Sequence, residues 1–189
     1  MTPNDLRSMV LTSLFAALTA VGALVALPIG PVPIVLQNFF AMLMALLLGP
    51  RWALAGIGVY LLAGALGLPV FAGGASGLAR FAGPTGGYLV GYLPCVAVTG
   101  WISARGGGHR MLDALAMLCG TAALYACGVS WLKLVTGLAW GKALGVGVIP
   151  FLPGDIVKII AAVLVIKSLR QLIAKTGDHQ DAAPLRAAR

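Results

Sequence analysis

Apolar residues run along this chain in long blocks, broken by Gly, Pro or basic residues rather than alternating with polar ones. Blocks of that length with almost no charge inside them predict membrane-spanning helices. The pattern places spans at 9–27, 33–49, 51–67, 84–104, 112–138 and 154–174. Little more than Pro50 and Arg51 separates the second span from the third, which predicts a tight helical hairpin. The expected fold is therefore an all-α integral membrane protein of six transmembrane helices, with a glycine-rich outer loop between helices 3 and 4. Residues 1–175 form one transmembrane domain in this reading, and 176–189 a polar cytoplasmic tail.

Composition agrees and narrows the class. Of 189 residues, 60% are hydrophobic and 10% charged, far from the profile of a soluble domain. The net charge of +8 suggests an acidic partner until its distribution is examined. With the N-terminus inside, nine basic residues (Arg7, Arg51, Arg105, Arg110, Lys167, Arg170, Lys175, Arg186 and Arg189) fall on the cytoplasmic side. Four (Arg80, Lys133, Lys142 and Lys158) fall toward the outside. That bias predicts both termini cytoplasmic and accounts for the charge without nucleic acid. The N-terminus, MTPNDLRSMVL, leads straight into a span with no small-residue cleavage site, so no cleavable signal is expected.

Between Leu66 and Tyr92 the chain reads GLPVFAGGASGLARFAGPTGGYLVGY, dense in glycine and with Arg80 as its one charge. Irregular backbone at a membrane persists only where it is buried in protein or lines a wet cavity, so this stretch is expected to build a binding site. Proline announces three helices that start at the outer face: PVPIVLQ at 31–37, GPTGGY at 83–88 and FLPGDIVK at 151–158. Proline fits a helix's first turn, where its missing N–H costs nothing. Three helix N-termini meeting at one surface favour an anion; otherwise the prolines simply mark loop ends.

Few residues are equipped for chemistry. Asp155 and Lys158, three apart in GDIVK, share one helical face at membrane depth. They are either an ion pair that holds the helix end, or an acceptor for a ligand's N–H groups beside a donor to its carbonyl or carboxylate. Arg80 suits a carboxylate through two parallel hydrogen bonds, or snorkels to the membrane surface. Gln37 and Asn38 either bond across helices or line the pocket, and Phe71, Tyr88 and Tyr92 either wall it or belong to the interfacial belt. In the first span, Ala16 and Ala20 lie four apart, with Ser13, Ala17 and Gly22 nearby; such spacing admits a second helix, from this bundle or from a partner.

Enzyme constellations are missing. The five carboxylates are all Asp, there is no HExxH, and His109 and His179 fall in expected cytoplasmic segments, away from Ser76. Cys95, Cys119 and Cys127 have no CxxC spacing and read as small buried hydrophobes. Without a GxxxxGKS/T phosphate loop, the chain cannot use ATP by itself.

The succession PVPIVLQ, LLAGALGLPVFAGG, GPTGGYLVGY and PGDIVK resembles the BioY family, the biotin-capturing membrane subunits of energy-coupling factor vitamin transporters. The likeness extends from the first span to the sixth. It implies a multi-pass protein of the inner (plasma) membrane that takes up biotin as its transported ligand, with no covalently bound cofactor. It also implies partners: a transmembrane coupling subunit and a pair of cytoplasmic ATPase subunits. Asp155 and Lys158 match the GDxxK positions associated with biotin contact, and Ala16 and Ala20 the AxxxA face that docks to the coupling subunit. Arg80, Gln37, Gly73, Gly74, Thr85, Gly86 and Tyr88 complete the expected substrate site. The rival expectation is a carrier that moves biotin or another small vitamin alone, as facilitator or secondary transporter.

Overall fold

The computed structural model describes residues 3–27 and 31–187, with side chains for 5–26 and 31–175. The tail expected at 176–189 lies outside the described side chains. Helix α1 spans Pro3–Leu24 and leads into a minimal antiparallel hairpin, β1 (Ala26–Leu27) against β2 (Ile34–Val35). Then come α2 (Gln37–Ala65), the single turn α3 (Ala79–Ala82), α4 (Gly86–Arg105), α5 (Arg110–Thr136), α6 (Trp140–Gly147) and α7 (Leu152–Ala187). Among the described residues, α1, α2, α4 and α5 are long and apolar enough to cross a membrane. The pair α6 and α7, bent by 45° at their junction, makes a fifth.

The expected hairpin at Pro50 lies inside α2, which is not one straight helix. Gly49 breaks it with φ 76 and ψ 178, an angle pair that a residue with a Cβ rarely adopts. In an unbroken helix Met44 and Gly56 would stand about 18 Å apart. Instead the Met44 sulfur lies 2.6 Å from where a Cβ on Gly56 would sit, so the two halves fold back on each other. The turn itself packs on α4, since a Cβ on Gly100 would come within 2.6 Å of the Pro50 nitrogen.

Helices α4 and α5 approach through glycine in the same way. A Cβ on Gly87 would lie 2.2 Å from Trp131 Cβ and 2.7 Å from the Cys127 carbonyl oxygen. One on Gly128 would strike the Tyr88 ring at 2.4 Å. Gly87 of GPTGGY and Gly128 thus serve helix packing, in which small residues let backbones close up where lipid gives no hydrophobic drive. Met42, Met44, Ile57, Met117, Leu132 and Ile166 fill the interior between the helices. Outward-facing Leu, Ile and Val on α1 and α7 present an apolar surface of the kind a bilayer covers.

Three expectations are corrected. α2 starts at Gln37, so Pro31 and Pro33 lie in the extended segment before it; Pro84 also precedes its helix, and only Pro153 occupies a first turn. α6 falls in a glycine-rich stretch that carries no expected span, because burial of Ala143 and Gly147 holds it in place rather than a long apolar run. The last helix runs on to Ala187 instead of ending near 174.

Candidate functional site

The N-terminal turns of α2, α4 and α7 gather at one end of the molecule around a cavity of about 60 Å³. Val32, Pro33 and Val35 cover it from the β2 side, and Tyr88, Tyr92 and Phe151 wall it. Its polar groups are Asn38 from α2, Tyr125 from α5, and Asp155 and Lys158 from α7.

Four side chains close a network there. The Asn38 amide donates to Asp155 Oδ1 at 2.8 Å, and the Tyr125 hydroxyl donates to Asp155 Oδ2. Lys158 Nζ donates to Val35 O and to Asn38 Oδ1, each at 2.7 Å, and more weakly to Asp155 Oδ1 at 3.3 Å. Asp155 is 4% exposed, which an ionised carboxylate tolerates only with such compensation. The pair is therefore far more than an exposed ion pair at a helix end. A carboxylate offers about four acceptor positions, so Asp155 keeps capacity for a further N–H donor. The ammonium has all three donors engaged, so a ligand acceptor must displace one of its present partners.

Of the expected site residues, the structure brings Asp155, Lys158 and Tyr88 to the cavity. Tyr88 is also tethered, its hydroxyl donating to Gly147 O of α6 at 2.8 Å. Gln37 turns away: it is 2% exposed and absent from the cavity wall, and its buried amide nitrogen has no partner among the described residues. One residue on, Asn38 takes the place expected of it, because consecutive helical residues point about 100° apart. Thr85 and Gly86 start α4 outside the lining, and a Cβ on Gly86 would collide with the Phe81 carbonyl at 1.8 Å. Gly73 and Gly74 form a 3₁₀ turn, also outside the lining. Arg80 is exposed on α3, at the same end of the molecule.

The glycine-rich loop is fixed to the bundle rather than wrapped around this cavity. Phe71, 2% exposed, stacks edge-on with Tyr60 and Phe81 and occupies the space that a side chain at Gly64 would fill. On α1, Ala16 is 8% exposed and Ala20 half-buried, so the AxxxA pair faces the bundle; Ser13 and Ala17 are the exposed small residues. The reason is phase: Thr12, Phe15, Ala16, Thr19 and Ala23 form the buried stripe of that helix.

Sequence reasoning left Tyr125 and Asp113 unassigned. Tyr125 sits in an apolar block with no neighbour in sequence to mark it. Asp113, at the far end of the bundle, is 1% exposed and paired with Arg170 of α7, a contact 57 positions away.

Comparison with known proteins places this architecture. A family model described as the BioY family matches residues 1–175. A probable biotin transporter BioY of Pyrococcus horikoshii is 41% identical over 160 residues, covering 85% of this chain and 94% of its own. The biotin transporter BioY of Thermotoga maritima is 36% identical over 167 residues, covering 88% and 98%. Among solved structures, the 2.1 Å crystal structure of the S-component for biotin from an ECF-type ABC transporter superposes with a TM-score of 0.83 at 29% identity. That match covers 90% of this chain and 95% of the other. With a family match across nearly its whole length and relatives aligned almost end to end, this chain belongs to the BioY family.

Proposed function

We propose that the chain captures biotin at the cavity formed by the N-termini of α2, α4 and α7, as the substrate-binding subunit of an ATP-driven vitamin importer. The observation that carries the reading is buried Asp155 paired with part-buried Lys158, bonded by Asn38 and Tyr125 and open to a cavity. Biotin's ureido ring offers two N–H donors and a carbonyl. Asp155 accepts from one of the N–H groups, and Lys158 exchanges its bond to Val35 O for one to the ligand carbonyl. Tyr88, Tyr92 and Phe151 give the thioether ring an apolar wall. The valerate carboxylate takes the helix N-termini and the exposed guanidinium of Arg80. A pocket for a ligand of this size needs a few hundred Å³, so entry requires the 31–36 segment to yield.

In this reading the chain crosses the plasma membrane six times, through α1, the two halves of α2, α4, α5 and α7, with both termini cytoplasmic. The positive-inside bias and the fold-back at Gly49 support it. Energy comes from a transmembrane coupling subunit and two ATPase subunits. The outward face of α1, with Ser13 and Ala17 at its centre and Ala20 at its edge, is the surface offered to the coupling subunit. The protein acts as a transporter subunit and not as an enzyme.

Uptake of labelled biotin separates this from a carrier working alone. Vesicles holding only this chain should bind biotin without accumulating it, and should accumulate it once a coupling and ATPase module and ATP are added. Concentrative uptake by the isolated chain would contradict the proposal.

A further inference from the structure

Asp155, Ile159, Ala162, Ile166 and Arg170 lie at steps of four, three, four and four, and so form a single face of α7. All but Arg170 are buried. The polar ends of this face are about 22 Å apart. At one end are Asp155 and Lys158; at the other, Arg170 holds Asp113 of α5 through two parallel bonds of 2.7 and 2.9 Å. Arg170 also donates to Ser103 Oγ of α4 at 3.0 Å and to Leu46 O of α2 at 3.1 Å, while Ser103 donates to Asp113 at 2.6 Å. One guanidinium thus ties four helical segments together.

Between the two ends only apolar side chains face the bundle, and Ile156, Val157, Ile160, Leu164 and Val165 face outward. The outward set resists a small rotation or slide of the helix little, because lipid is as apolar as those side chains, and the bundle-facing set resists through van der Waals packing without directional bonds. The directional bonds that fix the rotation and height of α7 are those at its two polar ends. At the pocket end those bonds are the ones a ligand must disturb, which leaves the far end as the fixed reference.

We propose that the Arg170–Asp113–Ser103 clamp is a positioning device that fixes the rotation and height of α7 and thereby presents Asp155 and Lys158 to the ligand. The inference rests on the biotin reading above. It assigns Arg170 a role in affinity although it stands on the opposite side of the bundle from the pocket.

A double-mutant cycle in lipid nanodiscs tests it. Biotin isotherms are recorded for the unsubstituted chain, for Asp113→Ala/Arg170→Ala, for Asp155→Asn and for the triple variant, each well below its own melting temperature. Removing both clamp charges together leaves no buried charge without its partner. Loss of the clamp should weaken binding about tenfold in the unsubstituted background but less than about twofold beside Asp155→Asn, a coupling that distant independent sites do not show. Arg170→Lys, which keeps the charge but not the paired geometry, should fall between. An equal factor in both backgrounds, or an unchanged isotherm without the clamp, would reduce it to general stabilisation and overturn the inference. Should the clamp-free protein fail to fold, Arg170→Lys carries the same cycle, and additivity there overturns it equally. Failure of the unsubstituted chain to bind biotin would overturn the proposed function and this inference with it; binding with an additive cycle overturns the inference alone.

Discussion

Asp155 shows what a single ionisable group requires at membrane depth. Its carboxylate is stable there because an amide, a phenol and an ammonium all reach it, and removing it leaves part-buried Lys158 beside Asn38 without a counter-charge. Arg80 stands apart, exposed and aimed only at a ligand's acidic end in the proposed pose. The two should separate by ligand chemistry. Arg80→Ala should weaken biotin by about tenfold or less yet leave biotin methyl ester unchanged, since only the acid offers a charge-assisted bond. An equal loss for both compounds would remove Arg80 from the carboxylate. The charged residues of the pocket were legible in the sequence because isolated charges inside apolar blocks demand a partner. Asn38 was legible only as one of two neighbours, and Tyr125 not at all, because a hydroxyl on an apolar helix signals nothing until tertiary packing names its acceptor.

At the scale of elements, glycine and helix phase decide the outcome. The span boundaries of α4 and α5 follow directly from their apolar blocks, whereas the two-residue strands β1 and β2 are too short to show a period, and α6 is held by a bond from Tyr88, 59 positions away. GPTGGY was read as part of a ligand site; its Tyr88 lines the cavity, while Gly87 brings α4 onto α5 and Gly86 meets the Phe81 carbonyl. Gly87→Ala should accordingly lower stability by about 1–3 kcal/mol, as overpacking does, because the new Cβ meets Trp131 and the Cys127 carbonyl. Gly58→Ala, on the same kind of helix but facing open space, should be neutral or stabilising by up to about 1 kcal/mol. Thermal unfolding in one detergent compares them, and equal effects would refute the packing role. Phase makes a second prediction for α1. Ala17→Leu, on the exposed face, should impair assembly with a coupling subunit while sparing biotin binding. Ala16→Leu should destabilise the isolated chain instead, because it expands a buried position. Assembly assays beside melting curves check both, and intact complexes with Ala17→Leu would dismiss this face as the docking surface.

On the scale of the molecule, the chain places its polar groups at the two ends of an apolar bundle. One end collects three helix N-termini and the Asp155–Lys158 pair around a cavity; the other collects the α2 turn, Asp113 and Arg170. The first cluster follows from sequence because a proline stands at or a few residues before the start of each of its helices, and all three run in the same direction. The second does not, since Asp113 and Arg170 lie on different helices and each reads alone as a residue of the cytoplasmic boundary. The proposed recognition of biotin's ureido ring by Asp155 and Lys158 belongs to the first cluster. Isothermal titration of the chain in nanodiscs, unsubstituted and as Asp155→Ala and Lys158→Ala, measures this most directly. Saturable one-to-one binding of biotin, weakened by at least about tenfold in each variant as expected for a charge-assisted bond, is the result the structure leads us to expect. Biotin affinity that both variants retain in full would contradict it.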